Sequence, residues 1–475
     1  MRSTKIVCTL GPTSNSPELI ARLLEAGMNV VRLNFSHGAH QDHAATIARV
    51  REKVSAAGRF VPIIADLQGP KIRTGRLEGS RPVELAAGAE VRLIPANDAA
   101  LSTAGRLVID YPRLAEEVEA GQRILLADGE IELRITGLAG GEIVCAVVHG
   151  GLLGERKGVN LPGAALSVPS VTERDKADLD FALRQKVDYV ALSFVRDPKD
   201  LRLVKNLIQW AGAATPVIAK IEKPQALERL DEILEAADAV MVARGDLGVE
   251  LSPAQVPVEQ KRIIRRAAAL RRPVITATQM LESMITHPRP TRAEASDVAN
   301  AVLDGSDALM LSGETAVGRY PVEAVAMMAQ IIERAEAVET HPVPPPTGHP
   351  AEVSDAVAET AVSLAAKLGA KAIAVYTESG YTARLVSKHR PAACIVGLSR
   401  HADICRQMAL LWGVEPRLVR EVTDVDQLAL AAEAVLLRER LVDRGDLICL
   451  VAGTPFAIRG KTDMIKLHRV GGSER

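Results

Sequence analysis

The sequence predicts an α/β protein built on a closed (β/α)8 barrel of TIM type. A small β-barrel lid domain is expected in one loop, and an α/β domain with an open sheet at the C-terminal end. Three observations carry this prediction. Eight short β-branched runs alternate with amphipathic helical segments through the first two-thirds of the chain. The runs are apolar nearly throughout rather than alternating, as in parallel strands buried on both faces. The rhythm breaks twice, once at a Gly-rich stretch of alternating strands and once at a run of prolines.

Taken in order, the strands are KIVCTL (5–10), VVRLNF (30–35), VPIIADL (61–67), YVALSF (189–194), PVIAKIE (216–222), AVMVARGD (239–246), PVITATQ (273–279) and ALMLSGE (308–314). Segments such as SPELIARLLEAG, DLRLVKNLIQW and PVEQKRIIRRAAAL lie between them with apolar residues at helical spacing. Eight βα units are the number that closes a barrel. Between the third and fourth strands come VELAAGAEVRLI, RILLADGEIELRITG and GEIVCAVVHGG, whose alternation and glycines read as an inserted β-domain. THPVPPPTGHP reads as a semi-rigid linker. After it AIAVYT, CIVGLS, RLVRE and LICLVAG alternate with helices. The expected domains are therefore 1–69 plus 169–340 (barrel), 70–168 (lid) and 351–475 (C-terminal domain), with the Pro-rich linker at 341–350.

A chain of 475 residues exceeds what one core usually covers, which agrees with several domains. The 58 Lys and Arg nearly cancel the 59 Asp and Glu, so no global basic field points to nucleic acid or anionic lipid. Aromatic residues, at 3%, are too few for base-stacking platforms. Cys8, Cys145, Cys394, Cys405 and Cys449 form no close pair, which disfavours disulfides and zinc and fits a reducing compartment. The apolar stretch in MRSTKIVCTLGP is too short for a signal-peptide core, and no window reaches membrane-spanning length. A cytoplasmic protein without membrane or nucleic-acid partners is expected.

Barrel enzymes place their chemistry at the C-terminal strand ends. Here those ends carry Asn34 and Ser36, Asp66, Ser193, Lys220 and Glu222, Arg244 and Asp246, Thr278 and Gln279, then Ser312 and Glu314. Taken singly, each reads as well as a cap or a salt bridge. Converging on one mouth, so many charges would be costly without a charged ligand. Lys220 and Glu222 are two apart on a strand and point the same way. With Asp246 from the next strand, two carboxylates suit Mg2+, which completes its shell with water and substrate oxygens. Gly245 permits close backbone approach, and Arg32 and Arg73 match phosphate geometry. The parts are those of phosphoryl transfer without a P-loop or a kinase-type glycine loop.

LGPTSNS, MNVVRLNFSHG, ADLQGPKIRTG, GERKGVNLPG, AKIEKPQAL, VARGDLGVE, ATQMLESM and RAEASDVANAVLDGSDALMLSGETAVGRYP resemble the motifs of pyruvate kinases, and the resemblance spans the whole chain. It implies Mg2+-dependent phosphoryl transfer from phosphoenolpyruvate to ADP, the final step of glycolysis, with Mn2+ as an alternative metal. By the same resemblance Lys220 stabilises the phosphoryl group in flight and the enolate, and Glu222 and Asp246 hold the metal. The amides of Gly245 and Asp246 bind the substrate carboxylate, and Arg32 and Arg73 hold phosphoryl groups. Thr278 sits in the route that protonates the enolate, Lys157 reaches the nucleotide when the lid closes, and Asn34 and His37 lie near the nucleotide. A homotetramer is implied. Two rivals remain: an Mg2+-dependent barrel aldolase or lyase acting on pyruvate enolate, and a non-catalytic sensor using the C-terminal domain alone.

Two further expectations concern control. In YTESGYTARLVSKHRP a strand turns into a helix through Thr377, Ser379, Gly380 and Thr382, a hydroxyl- and amide-lined place for a phosphate. The resemblance implies an allosteric sugar-phosphate or nucleotide effector there. The family's K+ ligands match Asn34, Ser36, Asp66 and position 67, with threonine usual at 67 and glutamate at 71. This chain has Leu67 and Lys71, the pairing of the K+-independent branch. An ammonium about 4 Å from a phosphate contributes roughly 4 kcal/mol at an effective dielectric of about 20. Lys71 is therefore expected to replace K+.

Overall fold

The computed structural model describes residues 2–95, 101–164, 166–338, 352–456 and 460–472. The expected linker at 341–350 and residues 457–459 lie outside the described residues.

Eight parallel strands close a barrel: Lys5–Thr9, Val30–Asn34, Ile63–Asp66, Tyr189–Leu192, Val217–Ile221, Ala239–Ala243, Val274–Ala277 and Ala308–Leu311. Each pairs with its sequence neighbours and the eighth returns to the first, Lys5 opposite Ala308. The strands are buried from end to end except at Asn34, which explains the unbroken apolar runs. All eight strands stop before their sequence runs end, and at two of them the early stop shapes the site. The sixth ends at Ala243, and Gly245 and Asp246 instead begin the helix Arg244–Glu250. The seventh ends at Ala277, where Thr278 (φ +70°) and Gln279 (φ +53°) turn into the left-handed region. A β-branched residue at such a φ is strained by about 1–3 kcal/mol, a reserve usually found at functional sites.

The Gly-Pro break after the third strand has a steric cause. Gly69 adopts φ +70°, and a Cβ there would lie 2.8 Å from the Phe194 ring and 3.0 Å from Ser193 Cβ. Its amide donates to Asp175 Oδ1 at 2.9 Å, from the capping box that opens helix Glu173–Arg184. The turn is thereby pinned to the end of the fourth strand, and Lys71 leaves it toward the barrel mouth.

The excursion between the third and fourth strands forms the lid, a six-stranded sheet with a two-stranded ribbon. The Gly-rich stretches of the sequence supply the longest antiparallel pair, Ile131–Ala139 with Glu142–His149. The C-terminal domain is a five-stranded sheet in the order Val414–Leu418, Cys394–Ser399, Ala372–Tyr376, Leu447–Ala452, Met464–Arg469, parallel except for the last. Its edge strand lies three residues earlier than RLVRE suggests, because an edge tolerates the missing N–H of Pro416.

This domain covers the N-terminal ends of the barrel strands. Leu410 belongs to the same buried cluster as Val7, Ile64 and Met241 of the barrel interior. Lys5 Nζ donates to Val414 O at 2.9 Å, and Tyr189 Oη donates to Gln407 O at 2.9 Å. The lid and the C-terminal domain thus occupy opposite ends of the barrel.

Candidate active site

At the open end, the second to fifth strands bring four charged side chains together. Arg32 Nε lies 2.7 Å from Asp66 Oδ2, and Arg32 Nη1 donates to Thr9 Oγ1 at 3.0 Å. Lys220 Nζ lies 3.2 Å from Asp66 Oδ1 and 2.9 Å from Glu222 Oε1, and donates to Ser193 Oγ at 2.7 Å. Ser193 Oγ in turn donates to Leu67 O at 2.8 Å. Glu222 Oε2 accepts from Phe194 N at 2.8 Å. All four residues are buried, Asp66 and Glu222 to within 1%.

The electrostatics follow from that burial. Burial alone would lower the Lys220 ammonium, but Asp66 and Glu222 hold it above the ordinary lysine range. Burial would raise the Asp66 carboxyl, but Lys220 and then Arg32 outweigh it and keep it below the usual range. Burial pushes the Glu222 carboxyl up; Lys220 pulls it down, Asp246 pushes it up again by less, and it stays above the usual carboxylate range. Glu222 Oε1 and Asp66 Oδ1 are buried without any hydrogen bond of good geometry, despite the ammonium beside them. Glu222 is a carboxylate short of a cation.

A cavity of about 390 Å³ lies above this cluster, under the lid. Asn34, Ser36, His37, Lys71, Arg73, Lys157 and Asp246 line it with Arg32, Ser193, Lys220 and Glu222. Most of the site residues expected from the sequence therefore face one space. Asn34 Oδ1 accepts from Ser36 N at 3.1 Å, which shapes the turn after the second strand. Arg73 donates from Nη1 to Arg156 O of the lid at 3.1 Å. Lys157 is tied at its backbone to Thr74 Oγ1, 2.9 Å away, and its side chain is exposed. His37 is depressed by partial burial and then by Arg73, Lys71, Arg174 and Arg32. Lys71, half-buried, forms no ion pair among the described residues, and neither do Arg73, Lys157 or Asp246. Leu67 is buried and presents no side-chain oxygen to the cavity.

Gly245 and Thr278 stand just behind this lining. The Gly245 amide donates to Thr278 Oγ1 at 2.8 Å, and Thr278 Oγ1 donates to Ala277 O at 2.6 Å. Other polar strand-end residues have structural duties. Arg244 forks onto Asp297 (2.7 and 2.9 Å) and Thr278 O (2.7 Å). Glu314 accepts from Leu281 N at 3.0 Å and Ser312 N at 2.7 Å, bracing two loops. Sequence reasoning did not single out Asp128, Glu155 and Arg156, which the lid adds to the lining. A signal was present for one of them, since Asp128 precedes a glycine and Asp-Gly marks a turn.

In the C-terminal domain, Thr377, Ser379 and Thr382 do share a cavity, but it measures about 10 Å³ and Glu378 also lines it. Thr382 Oγ1 is 2.8 Å from Thr462 Oγ1. Gly380 lines a different cavity. No group of three or more His, Cys, Asp or Glu among the described residues is arranged to hold a metal by itself. Glu222 with Asp246 fits Mg2+, which takes one or two carboxylates and fills its shell from water and substrate. No helix among the described residues is long and apolar enough to cross a membrane.

Comparison with known proteins agrees over the full length. Residues 1–325 match the family model for the pyruvate kinase barrel domain, and residues 355–468 match that for the pyruvate kinase alpha/beta domain. The chain is 46% identical to the pyruvate kinase of Mycobacterium intracellulare over 470 residues, covering 99% of each. It is 44% identical to that of Geobacillus stearothermophilus, covering 98% of this chain and 80% of the relative. A crystal structure of a pyruvate kinase from Cryptosporidium parvum superposes with a TM-score of 0.92 at 38% identity, covering 99% of this chain and 96% of the other.

Proposed function

Since the chain belongs to the pyruvate kinase family, we propose that the cavity between lid and barrel is where its reaction takes place. The activity is phosphotransfer from phosphoenolpyruvate to ADP, giving pyruvate and ATP; the aldolase alternative finds no support among the relatives. The observation that carries the assignment of the site is the Lys220–Glu222–Asp66–Arg32 cluster, buried yet left with unsatisfied carboxylate oxygens.

Arg32, fixed by Asp66 and Thr9, offers its remaining N–H groups to the phosphoryl group. Lys220 is placed to meet the charge that develops on the bridging oxygen as the P–O bond breaks and that oxygen becomes the enolate oxygen, an interaction that strengthens in the transition state. In the free chain Lys220 Nζ donates to Ser193 Oγ at 2.7 Å and stands within ion-pair distance of Asp66 and Glu222. Glu222 and Asp246 would hold Mg2+, which supplies charge neutralisation for the substrate oxygens. The Asp246 amide, at a helix start, receives the substrate carboxylate, joined by the Gly245 amide once that leaves Thr278 Oγ1. The Thr278 hydroxyl holds that turn and lies on the route by which the enolate is protonated. Arg73 and Lys157 take the nucleotide phosphates, with Asn34 and His37 beside them. Lid closure over these groups excludes the water that would otherwise capture the phosphoryl group.

Lys71 faces the cavity and supplies the positive charge that K+ gives other members, so K+ is not required. Asp66 already answers to two cations and Leu67 offers no side-chain oxygen. Cytoplasmic location, a homotetramer and activation by a phosphorylated metabolite at Thr377–Thr382 complete the reading. That effector site would have to open, since its present volume admits no phosphate. Loss of activation in Thr382→Glu tests it. For the central assignment, Lys220→Met is expected to lower kcat by about a thousand-fold or more, with pyruvate release from phosphoenolpyruvate strictly dependent on ADP. Unchanged turnover in that variant would refute the mechanism.

A further inference from the structure

The lid comes to rest on a short barrel helix, Arg244–Glu250, which carries Asp246 in its first turn. Two lid elements reach this helix. The turn Ala127–Gly129 lies against it, so that a Cβ on Gly129 would stand 3.9 Å from Val249 Cγ1. Asn160, on the lid strand Val159–Asn160, donates from Nδ2 to Glu250 Oε1 at 3.0 Å. That strand pairs with Arg123–Leu126, so Asn160 moves with the lid sheet.

Glu250 is buried, and the oxygen that accepts from Asn160 also lies 2.5 Å from Lys223 Nζ. One carboxylate oxygen is thereby shared between lid and barrel. Lys223 directly follows Glu222, and its ammonium stands 5.5 Å from the centre of the Phe194 ring. The Phe194 amide donates to Glu222 Oε2 at 2.8 Å from a backbone at φ +56°, a conformation that a bulky residue keeps only when its surroundings hold it. Glu250 therefore reaches both metal carboxylates through packed contacts. It meets Asp246 along one turn of its own helix, and Glu222 through Lys223 and Phe194. Apolar packing across this boundary is interrupted, because Ile72, Leu161 and Leu166 of the lid and Phe194 of the barrel line a cavity of about 290 Å³. A hydrogen bond to a carboxylate is stronger than a neutral one, which gives the Asn160–Glu250 contact a large share in seating the lid.

We propose that Glu250 is a positioning residue that ties the seating of the lid to the geometry of the metal carboxylates. With Asn160 on Glu250, the helix bearing Asp246 and the Lys223–Phe194 contact behind Glu222 are held in one arrangement. The inference rests on the reading of Glu222 and Asp246 as the carboxylates that take the divalent cation. Such coupling is reciprocal: a lid tie that strengthens metal binding requires bound metal to steady the lid.

Mn2+ binding to the full chain, read by electron paramagnetic resonance, and amide hydrogen exchange with and without Mn2+ test the tie. Asn160→Leu keeps the size of the side chain and removes the donor. It is expected to weaken Mn2+ binding by about fivefold or more, and to abolish the slowing of exchange that Mn2+ produces at Ala127–Gly129 in the wild type. Glu250→Gln keeps an acceptor for Asn160 but loses the ion pair with Lys223; it is expected to weaken Mn2+ binding less, and serves if the leucine variant does not fold. A lid that is merely looser would exchange faster with and without Mn2+ and leave the affinity unchanged, and that result overturns the proposal. Wild-type affinity in both folded variants overturns it too. Glu222→Gln separates the two readings. If it binds Mn2+ like the wild type, the assignment of the metal carboxylates fails and the proposal with it; if it loses Mn2+ while Asn160→Leu binds normally, the coupling alone fails.

Discussion

The two ends of the barrel use charge in opposite ways. At the floor, each charged group named has a partner across the domain boundary. Lys388 and Arg390 meet Asp307, Lys5 meets Glu415 at 3.2 Å, and Arg406 meets Asp188 at 2.6 Å. Arg271 forks onto Asp355 with two bonds of 2.8 Å, and His389 joins the same carboxylate at 3.2 Å. At the mouth, Lys71, Arg73, Lys157 and Asp246 stand without ion pairs among the described residues, and Glu222 keeps an unsatisfied oxygen. Paired charge staples two bodies together. Unpaired charge of both signs, held in a cavity, waits for a ligand that carries both a cation and phosphates.

That contrast predicts which variants damage stability and which damage turnover. The largest effect lies at the floor. Lys388→Met leaves the buried Asp307 with Arg390, 3.8 Å away, as its one remaining named cation, and is expected to cost about 3 kcal/mol of stability, read from the thermal midpoint, while kcat of the folded fraction stays within a few-fold. A midpoint within a degree of wild type would break the comparison. At the mouth, Lys71→Glu should hardly move the midpoint. In buffer with a bulky organic cation, its rate should fall by about a hundred- to a thousand-fold and recover with KCl. A wild-type rate that rises many-fold on adding KCl at constant ionic strength would overturn the role given to Lys71. Lys157→Met, on the lid, should raise the KM for ADP by about tenfold with kcat and stability little changed.

The smallest effect is one of pH. Burial depresses Lys388 from 10.5 to about 8, despite the pull of Asp307. Because the unfolded lysine binds its proton more tightly, the folded chain sheds it first. Below about pH 8 the cost of the buried ammonium is fully present, and it is relieved as pH rises from there toward 10.5. The stability difference between wild type and Lys388→Met should therefore widen by about 1 kcal/mol between pH 7.5 and about pH 9. A difference that narrows would reverse the sign argued here.

Much of this was legible without coordinates. The eight unbroken apolar runs became the eight barrel strands because a strand buried on both faces has no polar side to show. Lys220 and Glu222 met because residues two apart on a strand share a side, and Arg32 lay one strand away from its partner Asp66. Local patterns also marked the Gly69 turn and the lid. The sequence left open which charges would stay unpaired. Arg244, Glu314 and Lys71 look alike as polar residues near strand ends, yet Asp297 and backbone amides absorb the first two and nothing described absorbs the third. Nor did local pattern show that Asp128 would reach the mouth from the lid, or that Asn160 of the lid would reach Glu250 of the barrel. Periodicity reports which face of an element is buried, and so determines elements and their order. Pairing depends on groups hundreds of residues apart arriving within about 4 Å, and only the packed chain decides that.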